Sequence, residues 1–145
     1  MPCCKSVLII YRVQQMTDLG HLGKNTEYPS QYDNRLLFPI ARSISREVLG
    51  IYEPLPFFGQ DIWNAYELSW LDKDGRPRAG LAEIVIPANS THIVESKSFK
   101  LYLNSFNQTR IGDSERLRQM IMRDISEACG GIATVTIMPA TASHA

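Results

Sequence analysis

The tetrapeptide Asp72-Lys-Asp-Gly75 separates two runs of strand-forming residues, and no other feature constrains the fold as much. Before it, Ile62, Trp63, Tyr66, Leu68 and Trp70 supply the aromatic and branched side chains that suit a pleated, half-buried surface. After it, Arg78 to Ile86 reads as a return strand, closed by Pro87. Gly75 can take the positive φ that a tight turn demands. An antiparallel hairpin is therefore expected.

Beyond the hairpin the period changes. Over 95–107, Phe99, Tyr102, Leu103 and Phe106 fall at i, i+3, i+4 and i+7, which is one face of a helix. Lys97, Lys100 and Asn104 lie on other faces. Asp113 or Ser114 is expected to cap a second helix running to about Cys129, with Leu117, Met120, Ile121, Ile125 and Ala128 as its apolar stripe. Glu115 in its first turn complements the helix dipole, and Gly130-Gly131 stops it. Ile132 to Met138 reads as a third strand. The order is strand, strand, helix, helix, strand, an α+β layer with both helices on one face of an antiparallel sheet. The third strand would be an edge open to another chain, so a homodimer or higher homo-oligomer is expected.

Residues 22–60 are rich in Pro, Gly, Ser and Tyr and read as a wrapping segment with little regular structure. Residues 1–21 read as an N-terminal extension, leaving 22–145 as the folded module. The chain of 145 residues is one domain's worth, with 15 basic and 15 acidic residues. Zero net charge argues against a dedicated nucleic-acid binder. No run reaches the roughly 18 apolar residues that span a bilayer, so no membrane association is expected. Cys3, Cys4 and Cys129 form no disulfide framework, and residues 6–13, interrupted by Arg12, do not read as a signal peptide. A cytoplasmic protein is expected.

The residues offer little catalysis. Cys129 falls at a helix C-terminus, where the dipole disfavours a thiolate. The scattered His21, His92 and His144 form no metal set, and Gly130-Gly131 follows a helix instead of cradling a phosphate ahead of one. Binding is better supported. Glu95-Ser96-Lys97 opens the first helix, where a hydroxyl, a cation and unsatisfied backbone N–H groups suit an anion. Glu95 is placed to accept two hydrogen bonds from a neighbouring N–H pair such as a guanine-type edge. The same three residues also suit plain helix stabilisation, and spacing does not separate the two readings.

The run Val94-Glu-Ser-Lys-Ser-Phe-Lys-Leu-Tyr-Leu-Asn-Ser-Phe-Asn-Gln-Thr-Arg110 closely resembles the signature of the NADPH-dependent 7-cyano-7-deazaguanine reductases, the nitrile reductases of the queuosine pathway. Leu22-Gly-Lys24, Tyr28 to Asp33, Arg42-Ser43, Leu55-Pro-Phe57, Asp61-Ile-Trp63 and Tyr66 to Leu71 agree as well. The resemblance covers about Leu22 to Met138 and is to the N-terminal half of the two-module form. It implies the tunnelling fold, dimeric chains, and reduction of a nitrile to an aminomethyl group by two hydrides from NADPH, within tRNA modification. It further implies Val94, Glu95 and Ser96 at the deazaguanine, and Ser96 with Lys97 at NADPH.

In that family a cysteine thiolate adds to the nitrile as a covalent thioimide and an aspartate supplies protons. Both belong to the C-terminal half, and this sequence contains neither segment. No catalytic residue is therefore expected here, and the chain alone is expected to be inactive. Two departures bear on dimer and lid: Phe58 replaces the family's histidine after Pro-Phe, and Ala41-Arg-Ser-Ile-Ser-Arg46 replaces its Pro-Arg-Ser-Leu-Asn-Arg run. The rival expectations are a stand-alone, non-catalytic module binding a guanine-like ligand or a partner subunit, and a different tunnelling-fold enzyme of pterin metabolism.

Overall fold

The computed structural model describes residues 29–140. The extension at 1–21, with Cys3, Cys4 and His21, and the stretch Leu22-Gly-Lys24 lie outside the described residues, as does His144.

The hairpin forms as expected. Strand β2 (Gln60–Leu71) and strand β3 (Pro77–Pro87) pair antiparallel, and Gly75 turns between them with φ +80°. Asp72 organises the turn: its carboxylate accepts from the backbone N–H groups of Asp74 and Arg76 and from the Arg78 guanidinium, at 2.9–3.0 Å. Strand β5 (Thr134–Pro139) pairs antiparallel with the other side of β3, giving the order β2-β3-β5. As expected, β5 is an edge of this sheet among the described residues.

Helices α2 (Ser96–Asn104) and α3 (Ser114–Cys129) connect β3 to β5. The Asp113 side chain caps α3 by accepting from the Arg116 N–H at 2.8 Å. Gly130 ends it at φ +65°, a conformation that a side chain disfavours. The inward face of the sheet presents Leu68, Trp70, Ala82, Ile84, Ile86 and Val135 to Phe99 and Tyr102 of α2, to Phe106 beyond it, and to Leu117, Ile121 and Ile125 of α3. Full burial of each larger aliphatic or aromatic chain contributes about 1.5–3 kcal/mol. The layer is the α+β one expected, in the order the tunnelling fold implies.

The segment 22–60, expected to hold little regular structure, contains three short elements among its described residues. Strand β1 (Pro39–Ala41), helix α1 (Arg42–Val48) and a 3-10 turn at Asn34–Leu36 lie within it. A second small ribbon results, because β1 pairs antiparallel with β4 (His92–Val94), a strand the sequence did not suggest. Pro39 is tolerated because it begins a short edge strand, where a missing donor is least felt. Helix α1 buries none of its residues fully and its Ala41 cap makes no side-chain hydrogen bond, so it carries neither an apolar stripe nor a capping signal.

Candidate ligand-binding site

Glu95 sits where β4 gives way to α2. The β1–β4 ladder sets Val94 opposite Pro39, and the next step is made by the Glu95 N–H, which donates to the Phe38 carbonyl at 2.9 Å. There the chain turns into the helix, and the Glu95 carbonyl accepts from the Phe99 N–H at 2.9 Å. The carboxylate folds back over the helix start. Its Oε1 accepts from the Lys97 N–H at 2.8 Å and its Oε2 from the Ser98 N–H at 2.7 Å. Only 6% of Glu95 is exposed.

This geometry corrects one expectation. The backbone N–H groups of Lys97 and Ser98 are not open to a bound anion, because the Glu95 carboxylate already caps both. An acid one residue before a helix reaches back over the second and third amides more readily than a diffusing ligand does. The carboxylate keeps acceptor capacity, since two ionised oxygens offer about four lone-pair sites.

The other predicted residues divide. Val94 is buried in the core, so its side chain is not available to a ligand. Ser96 is exposed, and its hydroxyl lies 3.4 Å from Glu95 Oε1. Lys97 is half-buried on the first turn. Ser96 also borders a cleft of about 410 Å³ between β2 and α2, whose walls include Trp63, Tyr66, Phe99, Lys100, Leu103 and Asn104. Trp63 meets Phe99 edge to face at 5.3 Å. Glu95 and Lys97 do not line this cleft. Its β2 wall includes a bulge where the β2–β3 register shifts between Ala65 and Leu68, leaving Tyr66 and Glu67 outside the ladder and both exposed. A signal for the bulge was present: the core-facing positions change from Trp63 and Ala65 to Leu68 and Trp70, and that change of parity requires an extra residue.

Two polar clusters hold the frame. On α3, buried Asp124 accepts from the Tyr32 and Tyr102 hydroxyls, each at 2.7 Å, and from Arg123 at 2.8 and 3.0 Å. Burial, reinforced by the Asp124 carboxylate, pushes the Tyr32 hydroxyl up to about 12 and Tyr102 further in the same direction. At the other end of the ribbon, Arg42 forms an ion pair with Asp61 and donates to Ser90 Oγ at 3.1 Å, while that hydroxyl donates to the His92 carbonyl at 3.0 Å. Arg46 donates to the Ala88 carbonyl. The two arginines of the 41–46 run thus pin the loop that leads into β4.

Cys129 is fully buried and burial pushes its thiol up, so it is a packed helix end and not an attacking thiolate. Among the described residues no helix is long and apolar enough to cross a membrane.

A family model described as nitrile reductase, 7-cyano-7-deazaguanine-reductase N-term, matches residues 28–137. The chain belongs to this family. Among curated relatives, the chain is 53% identical over 120 residues to the NADPH-dependent 7-cyano-7-deazaguanine reductase of Ralstonia nicotianae, covering 81% of this chain and 43% of that one. The like-named protein of Cupriavidus taiwanensis is 56% identical over 119 residues, with the same two coverages. That of Burkholderia mallei is 57% identical over 116 residues, covering 80% of this chain and 42% of its own. The chain therefore spans less than half the length of the relatives it matches.

Proposed function

We propose that this chain is the N-terminal, ligand-holding module of an NADPH-dependent reductase that converts 7-cyano-7-deazaguanine to its aminomethyl form in queuosine biosynthesis. The observation that supports this reading is the Glu95 carboxylate, almost fully buried, with its two oxygens held by backbone N–H groups of the helix it caps and the Ser96 hydroxyl beside one of them. Two backbone N–H groups fix its orientation before any ligand arrives, so little is lost in ordering it on binding. Its remaining lone pairs accept from the paired N–H groups of the guanine-type edge. Ser96 lies beside that edge, and Val94 contributes through its main chain.

The residues fit NADPH through side chains and not through an amide cradle, because Glu95 already occupies the amides. Ser96 offers its hydroxyl at the cleft wall and Lys97 its cation. NADPH, when bound, supplies the hydride for nitrile reduction. The contact of Lys97 is with phosphate, so Lys97→Ala weakens cofactor binding more at low salt than at high salt.

The exposed edge of β5, with Ile62, Tyr66 and Met138 also exposed, suits pairing with a second tunnelling module in a homodimer or higher homo-oligomer. The substrate is a small molecule and the setting cytoplasmic. A second reading, a module that binds a guanine-like ligand without chemistry, is favoured by the inert Cys129. Both agree that the 145-residue chain alone consumes no NADPH with 7-cyano-7-deazaguanine. Turnover near 1 per second, typical of enzymes, would contradict both.

The test of Glu95 is a calorimetric titration with 7-cyano-7-deazaguanine. It is run on this chain and on a two-module chain joining it to the C-terminal part of the Ralstonia nicotianae relative. Glu95→Gln keeps the shape but turns a donor toward the ligand's donors, and weakens binding about tenfold to a hundredfold. Equal affinity would reject the assigned role and leave Glu95 as a helix cap.

A further inference from the structure

Where β4 becomes α2, a single side chain serves the strand ladder and the helix at once. The Ser98 hydroxyl is fully buried. It accepts from the Phe38 N–H at 3.1 Å and donates to the Glu95 carbonyl at 2.8 Å. With the Glu95 N–H donating to the Phe38 carbonyl, these bonds close a ring through Phe38, Ser98 and Glu95. In an uninterrupted antiparallel ladder the Phe38 N–H would bond the opposite carbonyl directly. Here that carbonyl also takes the first helical bond, from Phe99, and the Ser98 hydroxyl bridges the gap. The Ser98 N–H meanwhile holds Oε2 of the carboxylate at 2.7 Å. Ser98 therefore grips Glu95 at both its main chain and its side chain, and ties both to Phe38, the residue that leads into β1.

We propose that Ser98 is a positioning residue for Glu95: its hydroxyl relay locks the strand-to-helix junction so that the carboxylate is presented to the deazaguanine in one orientation. This rests on the reading of Glu95 as the ligand's acceptor. Ser98 itself does not touch the ligand; it acts through Glu95. A hydroxyl is required, because the group must accept from Phe38 and donate to Glu95 at once, which no apolar side chain of similar size does.

The experiment is a double-mutant cycle on 7-cyano-7-deazaguanine affinity in the two-module chain, with Ser98→Ala, Glu95→Gln and the pair. A residue acting through Glu95 shows coupling, whereas a merely structural one shows additive losses. Ser98→Ala weakens binding about tenfold alone and less than about twofold when Glu95→Gln is already present. In parallel, hydrogen exchange on the 145-residue chain reads the Phe38 amide, which exchanges faster in Ser98→Ala. Ser98→Cys, nearly the same size with a weak donor, gives a smaller loss of the same kind and replaces Ser98→Ala should that variant fail to fold. Equal losses in both backgrounds, no loss in either, or an unchanged Phe38 amide overturns the relay while leaving Glu95 in its role. If Glu95→Gln itself has no effect on affinity, both readings fall.

Discussion

Two buried carboxylates, Glu95 and Asp124, are satisfied in opposite ways. Asp124, in the middle of α3, is met by side chains from elsewhere in the fold: Tyr32 of the wrapping segment, Tyr102 of α2 and its neighbour Arg123. The two tyrosine bonds tie α3 to the wrapping segment and to α2, so this carboxylate is committed to holding the fold. Glu95 is met by two amides of the helix it caps and, more loosely, by the adjacent Ser96 hydroxyl at 3.4 Å. Its acceptor capacity is part-used, and the bonds it makes are local. The difference shows that burial of an acid does not itself distinguish structure from function. What distinguishes them is whether the donors come from distant parts of the fold or from the adjacent backbone.

The largest effect that sharpens this contrast is on stability. Asp124→Ala strands the buried Tyr102 hydroxyl and leaves the Tyr32 hydroxyl without its acceptor, and is expected to lower unfolding free energy by roughly 2–4 kcal/mol in urea titration. Glu95→Gln keeps one acceptor at the helix start and is expected to lose less than about 1 kcal/mol. Equal losses would break the comparison. Tyr102→Phe comes next, with an expected loss of about 2 kcal/mol from one hydrogen bond to a charged group.

A smaller effect is confined to alkaline pH. Tyr32 and Tyr102 hold their protons more tightly folded than unfolded. Their contribution is complete below the ordinary tyrosine value of about 10. It is lost as pH climbs from there through about 12, the value to which Tyr32 is raised. Ultraviolet titration is expected to show these two ionising above the ordinary tyrosine value of about 10, and Asp124→Asn to bring them back toward it; ionisation of both near that value would contradict the network. The smallest effect lies at acid pH. Hydrogen bonds from Arg118 and then Gln119 lower Glu115 to about 2, so its contribution is present above the ordinary carboxylate value and lost as pH falls through the lowered one. The pair is on the surface, and Glu115→Gln is expected to change acid stability least of all.

The sequence disclosed the parts of the fold that depend on periodicity. The hairpin, both long helices and β5 follow from apolar spacing, and the Asp113 and Gly130 caps from residue type. The β1–β4 ribbon was hidden because three-residue strands show no alternation and Pro39 argues against one. Helix α1 lacks both stripe and cap. At the site, Glu95, Ser96 and Lys97 were legible as a helix start, but not the direction of the carboxylate, which turns onto its own amides. Ser98 was hidden for another reason: its two partners lie three residues away and 60 residues away, and only the folded chain joins them. The cleft beside Ser96 depends on the β2 bulge, visible only as a change of parity.

On the proposed reading the ligand meets the carboxylate that caps α2 and not the one buried in α3. Hydrogen exchange of the two-module chain, with and without saturating 7-cyano-7-deazaguanine, separates the two carboxylates. A ligand bonded to Glu95 is expected to slow exchange across 94–98, Lys97 and Ser98 most of all, and to leave the amides around Tyr32 and Asp124 unchanged. Unaltered exchange at 94–98 with ligand demonstrably bound, or protection centred on Asp124, would contradict the account.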